Sequence, residues 1–215
     1  MAFIPIIEGY LKKENYQPIN LSAERLVKLK LNASAIEDLQ TYLTFQQEKF
    51  AHQILYGGYL EKRNLYDGKA LFSADEIRNI HLGVDFWEKA GTGIYCPRDG
   101  EIVVSHYNSA PGNYGGTLIL KHQKSEGYFY SLYGHLSKIS LRSNPLGKKI
   151  KQGEVFCWLG ETHENGGYIP HLHFQLINDF DESLTDYAGV CSSSQVSAYQ
   201  KNCPNPELFL GICNS

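Results

Sequence analysis

The run Pro170-His171-Leu172-His173-Phe174-Gln175-Leu176 alternates polar and apolar side chains without a break. A period of two commits it to a strand rather than a helix. Leu172, Phe174 and Leu176 then face the core, while His171, His173 and Gln175 share the other, solvent-facing side. Two imidazoles side by side on one strand face are a ready site for a metal ion. A second cluster sharpens the point. In Ile80-His81-Leu82-Gly83-Val84-Asp85-Phe86, His81 and Asp85 lie an even number of residues apart on the polar phase of a strand-like segment. His135 stands separately in Tyr133-Gly134-His135-Leu136-Ser137.

Around these pieces the chain reads as α+β and mostly β. Residues 1–57 form a helical N-terminal segment packed on the main domain. Within it Tyr16-Gln17-Pro18-Ile19-Asn20 is a short extended piece, and Ser22-Ala23-Glu24-Arg25-Leu26-Val27 makes one or two helical turns. A better helix opens on the capping box Ser34-Ala35-Ile36-Glu37. It carries Ile36, Leu39, Leu43, Phe50 and Ile54 on one face to about Leu55, where Gly57-Gly58 stops it. From residue 58 to 180, Asp99-Gly100, Gly115-Gly116, Glu126-Gly127 and Gln152-Gly153 punctuate short alternating runs, the texture of hairpin-rich antiparallel sheet. Residues 181–215 form a loop-rich extension with weak patterning around Asn205-Pro206-Glu207-Leu208-Phe209-Leu210.

Composition narrows the function. A net charge of −3 provides no basic footprint for nucleic acid, and no apolar run is long enough to span a bilayer. The N-terminus lacks the basic and apolar regions of a signal peptide, so the cytoplasm is the default location. Five cysteines, at 96, 157, 191, 203 and 213, are odd in number and have no CxxC pair. Free thiols are expected, with no disulfide framework and no cysteine zinc site.

A catalytic zinc ion takes three protein ligands and leaves its fourth position to water. His81, Asp85 and one of His171 and His173 supply such a set; periodicity does not choose between the last two. The ion lowers the pKa of its water from 15.7 towards about 7. His135 and the remaining histidine are then available to move protons and stabilise an oxyanion. A helical His-Glu-x-x-His site is absent, since His163-Glu164-Asn165-Gly166-Gly167 fails at its last position.

His81-x-x-x-Asp85, Tyr133-Gly134-His135-Leu136-Ser137 and Pro170-His171-Leu172-His173-Phe174, in that order, resemble the lysostaphin/LytM-type zinc metallopeptidases over roughly residues 78–177. The resemblance implies an antiparallel sheet with an open groove. It makes His81, Asp85 and His173 the ligands of one Zn²⁺ per chain, and His135 and His171 the catalytic histidines. It further implies endopeptidase action on peptidoglycan cross-links or glycine-rich peptides, a peptide or muropeptide-like substrate. Two features depart from the family: Gln175 stands where Glu is common, and a loop over residues 161–169 replaces a small-residue turn and should border the groove. A narrower resemblance rests on Gly58-Tyr59-Leu60-Glu61-Lys62-Arg63, Asn165-Gly166-Gly167 and Pro204-Asn205-Pro206-Glu207-Leu208. These are similar to the peptidase-type domain of phosphotransferase–peptidase–aminotransferase fusion proteins, which implies a cytoplasmic hydrolase of a small amide-containing metabolite. A zinc-binding regulatory module without turnover is the alternative outside the enzymes.

Other residues read as structural. His122 shares strand parity with Leu118 and Leu120 and is expected buried and satisfied, while His52, His106 and His163 are expected at the surface. Tyr133 is expected to pack and Arg63 to be solvated, with a groove-lining role the alternative for each. Gly112-Asn113-Tyr114-Gly115-Gly116 reads as a hairpin turn, because no helix follows to make a phosphate loop.

Overall fold

The computed structural model describes residues 2–32, 36–63 and 77–213. A 3-10 turn (Lys13–Asn15) leads into β1 (Tyr16–Pro18), followed by α1 (Ala23–Lys28), α2 (Ile36–Lys49) and β2 (Ile54–Gly57). After them come β3 (Ile80–His81), β4 (Val84–Trp87) and β5 (Gly93–Tyr95). A meander of β6 (Gly100–Asn108), β7 (Gly115–Gln123) and β8 (Tyr128–Leu136) leads into α3 (Lys138–Ser143), β9 (Lys149–Ile150) and β10 (Val155–Trp158). The chain then runs through β11 (His171–Ile177), β12 (Val190–Cys191), α4 (Val196–Asn202) and α5 (Pro206–Leu210). The Gly-containing dipeptides noted above mark strand starts or the bend between β9 and β10. The glycine-rich 112–116 stretch closes the β6–β7 hairpin.

Among the described residues, eight strands form one sheet in the order β1-β2-β4-β11-β8-β7-β6-β9. Every pairing in it is antiparallel except β1 with β2. Two small ribbons, β5 with β10 and β3 with β12, complete the mostly-β architecture. Pro18 lies on the outermost strand, where its missing N–H breaks no ladder. The segment before residue 58 is therefore not helical throughout: β1 and β2 extend the sheet, and Leu55 pairs with Trp87 of β4.

Side-chain alternation builds cores on both faces. Ile54, Tyr56, Val84, Phe86, Leu118, Leu120, Tyr133, Leu172, Phe174 and Leu176 pack into the main core with Ile6 and Ile7. On the opposite face Leu21, Leu26, Tyr42 and Leu43, from α1, α2 and the segment before them, pack on Leu55 and Trp87. Farther along that face, Val104, Ile119, Leu132 and Ile177 pack with Tyr130 and Phe180. The polar residues of β11 lie on this second face, and every residue of the strand is buried. The expectation of a solvent-facing histidine row is thus corrected, because segments on both flanks close over it.

α2 is shorter than the apolar period suggested. It ends at Lys49, and His52 takes a left-handed φ of +71° before Ile54 and Leu55 enter β2. Leu39, Leu43 and Phe50 do belong to the cluster that α2 helps to build. Ile54 matched the helical spacing by coincidence, for it is buried in the core on the other side of the sheet. The capping box at Ser34 lies outside the described residues. Ser22 caps α1 by accepting the Arg25 N–H, and Asn205 caps α5 through the Glu207 N–H.

Candidate metal centre

The sheet order brings the histidine segments together. β11 lies between β4 and β8, and His173 stands opposite Asp85 on one side and Gly134 on the other. His81 does not continue the β4 strand. It ends β3, and the Leu82-Gly83 step returns the chain so that His81 and Asp85 meet across four residues. That step requires glycine, since a Cβ at Gly83 would lie 2.7 Å from the Phe174 carbonyl oxygen and 2.8 Å from His173 Nε2.

His81 Nε2 and His173 Nδ1 are 2.8 Å apart, and Asp85 Oδ1 lies 3.3 Å from the first and 3.2 Å from the second. All three residues are buried. Their outer atoms are anchored. His81 Nδ1 is 2.9 Å from the Gly58 carbonyl, which can only accept, so Nδ1 carries the proton and Nε2 a free lone pair. Gln175 Nε2 donates to the Ala188 carbonyl (3.1 Å), which turns Oε1 towards His173 Nε2 (3.0 Å). His173 therefore donates from Nε2 and aims the Nδ1 lone pair inward. Gln175 thus has a use the sequence did not reveal: an amide oxygen fixes the tautomer of a neighbour two residues away.

Asp85 is held from behind. Arg63 Nη1 donates to Oδ2 at 2.5 Å, and its Nε donates to Glu61 at 2.7 Å. The guanidinium is only 2% exposed, so the expectation of a solvated Arg63 is overturned; it lines the groove instead. Glu61 lies two residues away in sequence, but the partner that draws the guanidinium inward, Asp85, is 22 residues on. Burial works to raise the Asp85 carboxyl, but the facing His81 and Arg63 together hold it well below the usual carboxylate range. Burial also pushes His81 down to about 4, against the pull of Asp85.

His135 and His171 line the same groove, with ring centroids 4.2 Å apart. His135 Nδ1 meets the Asn165 carbonyl and His171 Nδ1 the Ile169 carbonyl, both at 2.7 Å. His171 Nε2 lies 3.9 Å from Asp85 Oδ1. Burial lowers the pKa of both imidazoles, most strongly for His135, where His171 adds to the effect. His135 also occupies the left-handed region, at a φ of +62°. The groove has a volume of about 380 Å³, and Leu21, Leu39, Trp87, Tyr168 and Ile169 contribute to its walls.

The residues read as structural occupy the expected places. His122 is fully buried between the Asp99 carbonyl (3.0 Å) and Ser131 Oγ (2.6 Å), and Tyr133 packs in the core. His52, His106 and His163 are exposed, and the five cysteines are free thiols.

Residues 79–185 match the model described as peptidase family M23. This stretch is an M23 peptidase domain. Curated relatives share it. The chain is 35% identical over 106 residues to the glycyl-glycine endopeptidase ALE-1 of Staphylococcus capitis, covering 48% of this chain and 26% of that protein. Identity to lysostaphin of Staphylococcus staphylolyticus is 36% over 107 residues, 48% of this chain and 20% of the relative. For the peptidoglycan DD-endopeptidase ShyA of Vibrio cholerae it is 33% over 112 residues, 52% and 24%. The matched stretch thus spans about a quarter or less of these relatives. The four histidines of the groove and Asp85 lie inside the M23 domain. Arg63, Leu21 and Leu39 reach it from the segment before, and Asp186 to Val190 from the segment after.

Proposed function

We propose that this chain is a zinc-dependent metallopeptidase that hydrolyses peptide bonds of peptidoglycan cross-links or glycine-rich peptides, with one Zn²⁺ per chain. The observation that carries the reading is the inward convergence of two imidazole lone pairs and one carboxylate oxygen. Lone pairs aimed at each other across 2.8 Å repel unless a cation lies between them. The donor set also fits zinc in kind, and its carboxylate oxygen fits in spacing, while the two nitrogens stand closer together. Ligands about 2.0–2.1 Å from a tetrahedral ion stand about 3.3 Å from one another, the separation Asp85 Oδ1 keeps from both histidines.

His81 Nε2, Asp85 Oδ1 and His173 Nδ1 would hold the ion, which when bound supplies a water acidic enough to attack at neutral pH and a Lewis acid for the carbonyl oxygen. The remaining work belongs to His135 and His171. With both Nδ1 protons committed to carbonyls, each presents Nε2 to the groove. One such nitrogen takes the proton of the attacking water, and proton return to the leaving amine completes the cleavage. The likeness to ALE-1, a glycyl-glycine endopeptidase, and to ShyA, a peptidoglycan DD-endopeptidase, supports peptide bonds of the cell wall as substrates.

Zinc measured by elemental analysis in the full chain, alongside hydrolysis of pentaglycine and of cross-linked muropeptides, tests the reading. One equivalent of zinc with cleavage of either substrate is expected; a refolded protein that takes up no zinc would end it. A second reading draws on the segments outside the M23 domain that wall a groove of about 380 Å³. Such enclosure favours a compact amide over a polymeric wall, and with it a cytoplasmic substrate. Turnover of short amides without release of fragments from intact sacculi would select that reading.

A further inference from the structure

The two proton-handling histidines are oriented by a single loop. Residues 161–169 run from the end of β10 to the start of β11, and two of their carbonyls take the Nδ1–H groups of His135 and His171. The first carbonyl belongs to Asn165, the second to Ile169. Carbonyl oxygens only accept, so both rings are locked in the Nδ1–H tautomer with Nε2 towards the groove. The distance between these residues in sequence makes this a property of the loop's shape.

Asn165 determines that shape. Its side chain is fully buried and makes bonds at both ends of the loop. Nδ2 donates to the Gly160 carbonyl (3.2 Å) and the Tyr168 carbonyl (3.0 Å), while Oδ1 accepts the Tyr168 N–H (2.9 Å). The loop is then tied to the β6–β7 turn. Gly112 N–H donates to the Gly166 carbonyl (2.9 Å), and Tyr168 Oη donates to the Gly112 carbonyl (2.8 Å). Its far end is fixed as well: Ile169 packs with the Trp87 cluster, and Pro170 restricts Ile169 to extended backbone. The Tyr168 ring closes the assembly, 4.8 Å from His135 and 5.9 Å from His171.

We propose that Asn165 is a positioning residue for the hydrolysis: by stapling the 161–169 loop, it sets the two carbonyls that present Nε2 of His135 and His171 to the substrate. The inference rests on the hydrolase reading above for its chemistry, but not for its test. Zinc-loaded full chain carrying ¹⁵N-labelled histidine is compared with Asn165→Ala by ring ¹⁵N–¹H correlation, which distinguishes the Nδ1–H from the Nε2–H form without any substrate. The wild type should show Nδ1–H for both residues, and the variant a mixture. For pentaglycine, kcat should fall about 10–100-fold while KM and bound zinc stay within about 2-fold. Asn165→Asp, which keeps the Oδ1 acceptor for the Tyr168 N–H but loses both Nδ2 donations, should shift the same signals, and it keeps the test intact if Asn165→Ala does not fold. Wild-type Nε2–H in either ring, unchanged tautomers in the variants, or zinc lost in proportion to kcat would each overturn the proposal. If no protein hydrolyses any peptide, the spectra alone decide the positioning claim, and only the hydrolase reading fails.

Discussion

Two buried histidine sites in the same sheet make opposite use of the same side chain. On β7, His122 has a protein partner at each nitrogen, the Asp99 carbonyl and Ser131 Oγ, and its ring stacks on Phe129 at 4.8 Å. Between β3, β4 and β11, His81 and His173 each give one nitrogen to an anchor and direct the other at the same point as Asp85. Burial is nearly equal, so burial does not distinguish the sites. The difference is where the last lone pair goes. Saturated within the protein, an imidazole is a core residue; left to converge with others, it is able to hold a metal ion.

Removing a ligand should have the largest effect. His81→Ala is expected to abolish zinc retention and lower hydrolysis by about three orders of magnitude or more, several kcal/mol of transition-state stabilisation. His122→Asn should keep its zinc. Elemental analysis of the pair checks the contrast, and zinc lost equally from both would erase it. Next comes Arg63→Met, which removes the cation shared by the buried Asp85 and the partly buried Glu61. A loss of about 3–5 kcal/mol in denaturant unfolding is expected, whereas a change within 1 kcal/mol would mean that the brace is idle.

The smallest effect is the one that depends on pH. Burial pushes His122 down to about 4, while the unfolded chain titrates near 6.5. Below 6.5 the unfolded state binds more protons, so stability falls as pH drops from about 6.5 to 4 and levels off beneath. The contribution is at most about 3 kcal/mol by linkage. His122→Asn should make that limb shallower without removing it, because burial also lowers His81, His135 and His171; an unchanged slope would assign the acid sensitivity to those groups alone.

Much of this contrast was legible before any coordinates. Leu118 and Leu120 placed His122 on an apolar phase, and the polar phase of β11 grouped His171 with His173. Turn dipeptides located the long strands because they act locally. What stayed hidden acts at a distance. β1 was legible as the short extended piece at Tyr16–Asn20, but β2, four residues long, is too short for alternation to register and is a strand because it pairs along β4. Arg63 carries no mark of burial, since Asp85 lies 22 residues on. The choice between His171 and His173 was closed to periodicity; in the fold His173 Nδ1 groups with His81 and Asp85, while His171 Nε2 stands 3.9 Å from Asp85 Oδ1. The 161–169 loop was legible as an insertion bordering the groove, but its grip on two imidazoles depends on backbone oxygens that no side-chain pattern encodes.

The backbone of His135 sets heat tolerance against turnover. A branched-free ring residue at a φ of +62° spends on the order of 1 kcal/mol that glycine or asparagine would largely avoid. Glycine or asparagine in its place is expected to raise the unfolding temperature slightly while leaving the groove one imidazole short.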